Sequence, residues 1–156
     1  MTILLVRHAR AGRRDRWKGE DRLRPLSKKG RLQAEGLSDV LAPWIGNVEP
    51  LLISSPWVRC TETLAPFATS LGLVVAVDET LGEGMSTKAL DALGGWLGRR
   101  PVILCTHGDV IEAILLQLSD EGVDLGAKLG AAKGSVWVLD GSRRTVLTAR
   151  YLPPPC

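Results

Sequence analysis

The chain has 156 residues, of which 45% are hydrophobic, with a mean hydropathy of +0.08 and a formal net charge of +3. This balance predicts one globular domain over residues 1–152, followed by an extended tail at 153–156. No apolar run approaches the ~20 residues of a membrane-spanning helix, and no basic leader precedes the first predicted strand, so we expect a cytoplasmic protein without a membrane partner.

The first half of the chain alternates strand and helix patterns. Ile3–Val6 reads as a buried strand and 12–25 as a charged loop. Ser27 is a candidate N-cap for a helix that ends near Gly46. A short buried strand follows at Leu51–Ser54. The order predicts the beginning of an α/β fold.

Serine and proline at 55–56 form a helix-start signal, which places Arg59 in the first helical turn. Gly72 should end that helix, and 73–77 should form a third strand. The third strand leads to the turn 81–84, which carries Glu83.

The second half repeats the alternation. A helix capped by Ser86 or Thr87 precedes a fourth strand over 101–106, and a further helix follows at once. Two final strands, 135–139 and 145–152, flank Asp140-Gly141, which predicts a tight turn between antiparallel strands. We therefore expect a mostly parallel sheet, covered by helices on both faces, with a C-terminal antiparallel hairpin.

Charged and polar residues follow four of these strands. Arg7 and His8 follow the first, Arg59 the second, Glu83 the third and His107 the fourth. Because the carboxyl ends of parallel strands meet at one edge of a sheet, these five residues can converge in one crevice. The chain has only two histidines, and both belong to this set.

These residue types favour phosphoryl chemistry. Two arginines can hold phosphate oxygens in the ground state and in the transition state. Nearby positive charge should lower the pKa of His8 and keep its imidazole neutral, as a nucleophile requires. His107 would then be a second electrostatic contact, and Glu83 would protonate the leaving group and later deprotonate water.

Positive charge is concentrated between residues 10 and 31. Ten Arg or Lys stand there against three carboxylates, a local charge of +7, so the remaining chain carries −4. This distribution favours a phosphorylated substrate over nucleic acid, which would be bound by a broader basic face. Arg10, Lys18 and Arg22 are candidates for holding further phosphates, the alternative being that the segment is a solvated loop without a ligand.

The three cysteines, Cys60, Cys105 and Cys156, match no disulfide framework or C-x-x-C metal motif. Pro66 and Ile111 stand where a C-x5-R loop would require arginine, which argues against thiolate catalysis. We expect free thiols, no metal and no cofactor.

Four segments, in the same order as in a known family, cover most of the chain. They are Leu5-Val6-Arg7-His8-Ala9, Pro25-Leu26-Ser27-Lys28-Lys29-Gly30 with Gln33-Ala34, Ser54-Ser55-Pro56 through Arg59-Cys60-Thr61-Glu62-Thr63, and Thr106-His107-Gly108.

With these segments the chain resembles the histidine phosphatase superfamily, which implies a phosphoglycerate mutase-like three-layer α/β/α sandwich. The resemblance assigns phosphorylation to His8, phosphate binding to Arg7, Arg59 and His107, and acid/base duty to an acid at Glu83. Asp109 is the competing acid, since another branch of the family takes its proton donor from just beyond the second histidine; its structural alternative is helix capping. Ala9 departs from the usual glycine. The short SixA-like bacterial subgroup often has alanine there. So does the histidine phosphatase domain of some actinobacterial Nudix hydrolases, which the chain resembles more closely, although it has no Nudix box.

The sequence thus predicts a metal-independent, SixA-like phosphatase that hydrolyses a phosphomonoester or phosphohistidine through phospho-His8. Its partner would be a phosphorylated small molecule or a phosphohistidine protein. The alternatives are a nucleotide (poly)phosphate phosphatase and a catalytically weak phospho-ligand binding module. Nucleic-acid binding is disfavoured because aromatic residues are not interleaved with the basic ones, Trp17 apart. The oligomeric state is left open.

Overall fold

The computed structural model describes residues 1–128 and 130–156, which form a six-stranded mixed sheet and four α-helices. The strands are β1 (Thr2–Arg7), β2 (Leu51–Ser54), β3 (Ala76–Val77), β4 (Val102–Thr106), β5 (Val136–Ser142) and β6 (Thr145–Leu152). The helices are α1 (Lys28–Ile45), α2 (Val58–Leu71), α3 (Ser86–Leu93) and α4 (Gly108–Asp120). In the described part of the chain, no helix combines the length and apolar character needed to cross a membrane.

The sheet has the strand order β3-β2-β4-β1-β5-β6. The first four strands in this order are parallel, and β5 and β6 are antiparallel to their neighbours. One buried cluster joins the sheet to α1 and α2, and a second joins its other face to α3 and α4. The structure is therefore the three-layer α/β/α sandwich expected from the sequence.

The central pair of strands, β1 and β4, sets the position of both histidines. Their parallel register pairs Arg7 with Thr106, and the backbone N–H of His8 donates to Thr106 O at 3.1 Å. Both strands are apolar and buried, as strands covered on two faces should be. Residues directly after them therefore emerge side by side at the carboxyl edge of the sheet.

The third strand is shorter than predicted. Of the stretch 73–77, only Ala76 and Val77 pair with β2, and both are exposed at the sheet edge. The backbone N–H of Leu73 donates to Ala68 O in the last turn of α2, so the chain is still completing the helix end where a strand was expected.

The hairpin turn lies three residues later than predicted. Asp140 and Gly141 belong to β5, and the turn is formed by Arg143 and Arg144, whose φ angles are +51° and +67°. Ladder pairing shifts between Asp140 and Gly141, where a Cβ on Gly141 would lie only 2.0 Å from Thr145 O. The glycine therefore permits a close backbone approach inside the hairpin and does not form its turn.

Two helix starts also differ slightly from expectation. Pro56 lies outside α2, whose N-cap is Trp57, and Met85 is the N-cap of α3, with Ser86 as its first residue. Arg59 nevertheless falls in the first turn of α2 as predicted. Ser27 caps α1, its hydroxyl accepting from the Gly30 N–H at 3.1 Å.

Candidate functional site

The imidazole of His8 is held with one nitrogen committed to the backbone. Its Nδ1 lies 2.8 Å from Ala9 O, and because a carbonyl oxygen only accepts, Nδ1 carries the proton. Burial lowers the pKa of His8, and so do the charges of His107, Arg59 and Arg7. The hydrogen bond to Ala9 O opposes these effects, and the resulting pKa is about 3. The ring is therefore neutral at pH 7, with a lone pair on Nε2.

Ala9, where the resemblance leads one to expect glycine, is fully buried against Leu26 and Ala34. Its backbone N–H donates to Thr63 Oγ1 at 2.9 Å, and that hydroxyl in turn donates to Arg59 O. The packing accommodates the extra methyl group and connects the turn after β1 to α2.

A cavity of about 190 Å³ opens beside His8. Three buried nitrogens on residues that line it, Arg7 Nε, Arg59 Nε and His107 Nδ1, have no hydrogen-bond partner in the described part of the chain. Native proteins rarely leave buried donors unpaired. Unsatisfied nitrogens of two guanidinium groups and an imidazole, gathered around one cavity, indicate an anion-binding site.

Arg59 is only 1% exposed, and it forms an ion pair with Asp21 in the charged segment that precedes α1. Its guanidinium donates to Asp21 O at 2.9 Å and to Asp21 Oδ2 at 3.1 Å. Burial raises the pKa of Asp21, but hydrogen bonds and charges from Arg24 and Arg59 outweigh it and lower the pKa below its usual value.

The two candidate acids have different environments. Glu83 lines the cavity with its side chain 41% exposed, and its carboxylate lies 3.6 Å from Arg59 and 3.7 Å from Arg14. Asp109 also lines the cavity, but its Oδ2 accepts from the Gly84 N–H at 2.8 Å. Asp109 therefore secures the turn that carries Glu83, a contact that the sequence did not suggest.

His107 lies against His8, with ring centroids 5.4 Å apart. Its Nε2 is 2.8 Å from Ser55 Oγ and 3.6 Å from Cys60 Sγ. Burial raises the pKa of the Cys60 thiol, but contacts with Cys105 and His107 outweigh this and bring it to about 6. Burial raises the pKa of Cys105 well above its usual value.

The structure brings together Arg7, His8, Arg59, Glu83 and His107, the five residues placed at strand ends by the sequence. Three further predicted contacts do not line the cavity.

Arg10 and Lys18 are exposed, and Arg22 stacks over the Trp57 ring at 4.9 Å while bonding to Glu79. They were predicted from local charge density, which does not show where each side chain points.

Three cationic residues in the cavity lining were missed: Arg14, Arg24 and Lys133. Burial lowers the pKa of Lys133, and the charges of Arg7, Arg10, Arg24 and Arg59 lower it further. Arg14 and Arg24 lie within the basic segment, and the charge of that segment indicated that some of its residues could contact a ligand. Lys133 stands in a Gly- and Ala-rich connection that carried none. Within the described residues, no group of three or more His, Cys, Asp or Glu is arranged to hold a metal ion.

A model of the histidine phosphatase superfamily (branch 1) matches residues 3–87. The chain is 37% identical over 161 aligned positions to an 8-oxo-(d)GTP phosphatase of Mycolicibacterium smegmatis. That alignment covers 99% of this chain but 48% of the relative, so the chain spans about half its length.

Solved structures share the fold. The structure of a protein described as the putative phosphohistidine phosphatase SixA from Agrobacterium tumefaciens superposes with a TM-score of 0.74 at 23% identity, covering 98% of this chain and 96% of the other. A mycobacterial glucosyl-3-phosphoglycerate phosphatase gives a TM-score of 0.67 at 21% identity, with coverages of 97% and 95%. Because the family model matches more than half of the chain and the 37% identical relative agrees with it, the chain belongs to the histidine phosphatase superfamily, branch 1.

Proposed function

We propose that the protein is a phosphatase that transfers the phosphoryl group of its substrate to His8 Nε2 and then to water, without a metal ion. The observation that carries this proposal is the hydrogen bond from His8 Nδ1 to Ala9 O. It leaves a neutral imidazole with its Nε2 lone pair available beside a cavity lined by Arg7 and Arg59.

The chemistry proceeds in two steps. In the first, Nε2 of His8 bonds to phosphorus while the bond from phosphorus to the leaving group breaks, and a protonated Glu83 gives its proton to that group. In the second, the Glu83 carboxylate takes a proton from water, whose oxygen attacks phosphorus and releases inorganic phosphate and neutral His8. Arg7, Arg59 and His107 stabilise the charge on the phosphoryl oxygens in both steps.

Turnover of an aryl phosphate tests the proposal. We expect activity that a chelator does not change, trapping of an acid-labile phosphoryl group on the protein, and loss of both turnover and trapping in His8→Ala. Lys88→Met, which changes an exposed α3 side chain that does not line the cavity, is the matched surface control. Normal turnover in His8→Ala would refute the mechanism, and phosphate binding without turnover in the wild type would identify a binding module.

A nucleotide phosphate is the substrate class that we favour over a phosphohistidine protein. Arg14, Arg24 and Lys133 add three positive charges to the cavity lining beyond Arg7 and Arg59. The five cations of the lining exceed its two carboxylates, Glu83 and Asp109, by three charges, which is one more than a single phosphoryl dianion neutralises. The additional phosphates of a nucleotide can neutralise the remainder. The relative named 8-oxo-(d)GTP phosphatase supports the same class.

The substrate class is tested by comparing kcat/KM for nucleoside di- and triphosphates, an aryl phosphate and a phosphohistidine protein. Lys133→Met should lower kcat/KM for the nucleotides about tenfold more than for the aryl phosphate, and Lys88→Met should change neither. A wild-type preference for the phosphohistidine protein would restore the SixA-like assignment. We also propose a cytoplasmic location, since the three cysteines are free thiols.

A further inference from the structure

Ser55 contacts one ring nitrogen of His107, and the other ring nitrogen is unpaired. Ser55 is fully buried, and its Oγ lies 2.8 Å from His107 Nε2. Nδ1 of the same ring is buried without a partner in the described part of the chain, and the ring lines the phosphate-site cavity. Of the two ring nitrogens, Nδ1 is therefore the one left to meet a phosphoryl oxygen.

The hydrogen-bonding capacity of the Ser55 hydroxyl decides where the proton of a neutral His107 lies. The backbone N–H of Trp57 donates to Ser55 Oγ at 3.3 Å and occupies one of its acceptor positions. The single hydroxyl proton is then free to point at Nε2. When the hydroxyl donates to Nε2, that nitrogen carries no proton and the neutral ring carries its proton on Nδ1.

Neighbouring contacts hold this arrangement in place. The backbone N–H of Ser55 donates to Cys105 O at 2.9 Å, which continues the pairing of β2 with β4. The Trp57 ring meets the His107 ring edge to face at 5.2 Å and an interplanar angle of 76°. These contacts hold the backbone of Ser55 and one edge of the His107 ring next to each other.

We propose that Ser55 is a positioning residue that keeps the proton of neutral His107 on Nδ1, so that this nitrogen donates to the phosphoryl group. When His107 is protonated, the same oxygen accepts from Nε2–H through its remaining lone pair, and Nδ1 stays a donor. Ser55 thus supports both protonation states without a change of geometry. This inference rests on the proposed phosphatase function.

Cys60 is the competing neighbour of the same nitrogen. Its Sγ lies 3.6 Å from His107 Nε2. A protonated thiol is a weaker donor than the Ser55 hydroxyl, whereas the thiolate, which a pKa of about 6 makes accessible at neutral pH, would accept from Nε2–H and favour the opposite tautomer. A Cys60→Ala variant therefore separates the two contacts. If Ser55 is the determinant, this variant keeps the wild-type proton position, whereas Ser55→Ala does not.

Nitrogen NMR of histidine-labelled protein gives a direct readout, because the chain has only two histidines. His8→Asn assigns the remaining signals to His107. At a pH where the ring is neutral, we expect the protonated nitrogen of His107 to be Nδ1 in the wild type and in Cys60→Ala. In Ser55→Ala, the Nε2-protonated form should become populated. A wild-type ring protonated on Nε2 would overturn the proposal without any variant.

Kinetics supply the second readout. Ser55→Ala should lower kcat for an aryl phosphate about 10- to 100-fold, as loss of a contact that orients a reacting imidazole does, with a smaller change in KM. Ser55→Thr, which keeps the hydroxyl, should recover most of the lost rate. An unchanged His107 tautomer with kcat within twofold of the wild type in Ser55→Ala would refute the role.

The two proposals fail in different ways. Should Ser55→Ala not fold, Ser55→Cys replaces the hydroxyl by a weak donor at similar volume, and the same tautomer shift and loss of kcat are expected. An unchanged tautomer and rate in Ser55→Cys would then refute the role. If the wild type turns over no phosphate ester while His107 shows the expected proton position, the phosphatase proposal fails and the role of Ser55 in setting the tautomer stands.

Discussion

The guanidinium of Arg59 is bound by Asp21, which accepts from it with both its backbone carbonyl and its carboxylate. Arg59 is also a residue to which we assign phosphate binding, so the carboxylate and the phosphoryl group attract the same cation. The segment between β1 and α1 therefore does more than add positive charge near the site. It provides an acidic contact that a bound phosphate must share or displace.

Asp21→Asn should strengthen phosphate binding and weaken the fold. The amide removes the competing negative charge, so the inhibition constant for inorganic phosphate should fall severalfold. Loss of the charged contacts to Arg24 and Arg59 should lower the free energy of unfolding by about 1 kcal/mol. Asp15→Asn, which breaks only the exposed pair with Arg13, is the control. Weaker phosphate inhibition in Asp21→Asn would show that the contact organises the site and does not compete with the ligand.

The dependence of kcat on the leaving group shows which of Glu83 and Asp109 is the proton donor. If Glu83 protonates the leaving group, Glu83→Gln should lower kcat about 10²-fold for an alkyl phosphate and much less for an aryl phosphate with an acidic phenol. Asp109→Asn should retain most activity, because the amide oxygen can still accept from the Gly84 N–H. The reverse pattern would transfer the acid role to Asp109.

Gly108→Ala should reduce phosphate affinity without lowering stability. A Cβ at this position, the first residue of α4, would lie 3.0 Å from Cζ and Nη2 of Arg7, which is anchored by a hydrogen bond to Ala131 O. Displacement of the guanidinium should raise KM severalfold, whereas alanine is the better helix former. Gly98→Ala, where the new methyl group meets open space, is the matched control. An unchanged KM for Gly108→Ala would show that the position of Arg7 is adjustable.

The buried neutral state of His8 predicts a specific loss of stability in acid. With its pKa at about 3, folded His8 stays unprotonated while the unfolded chain takes up a proton below about pH 6.5. Stability should therefore fall between pH 7 and pH 5 by about 2 kcal/mol more in the wild type than in His8→Asn. Denaturant unfolding of both proteins at the two pH values measures the difference. Parallel pH profiles would show that His8 is readily protonated in the folded state.

Much of the fold was predictable because buried strands and capped helices leave local patterns. The runs before Arg7 and before His107 are apolar without interruption, and Ser27 caps its helix as expected. Predictions failed where long-range geometry decides the outcome. The third strand is short because the backbone of Leu73 is still bonded to the end of the preceding helix. Gly141 is required by the close approach of the Thr145 backbone on the neighbouring strand, and it does not form the turn.

The site shows the same division. Residues at strand ends were placed correctly because strand direction alone determines where they emerge. Lys133 reaches the cavity from a segment with no distinguishing composition, and the attachment of Asp21 to Arg59 joins positions 38 apart in the chain. Contacts of this kind depend on how loops close over the sheet, and a pattern of residue types does not contain that information.

The two imidazoles are spaced by the backbone of the sheet. His8 and His107 follow neighbouring parallel strands in register, so the distance between their main chains is set by the ladder hydrogen bonds and not by loop packing. In the proposed mechanism, the reaction chemistry therefore depends on the sheet, and we expect substrate choice to depend on the segment before α1. Exchanging residues 10–24 for the corresponding segment of another family member should change which phosphate ester is accepted while leaving the histidine pair where it is.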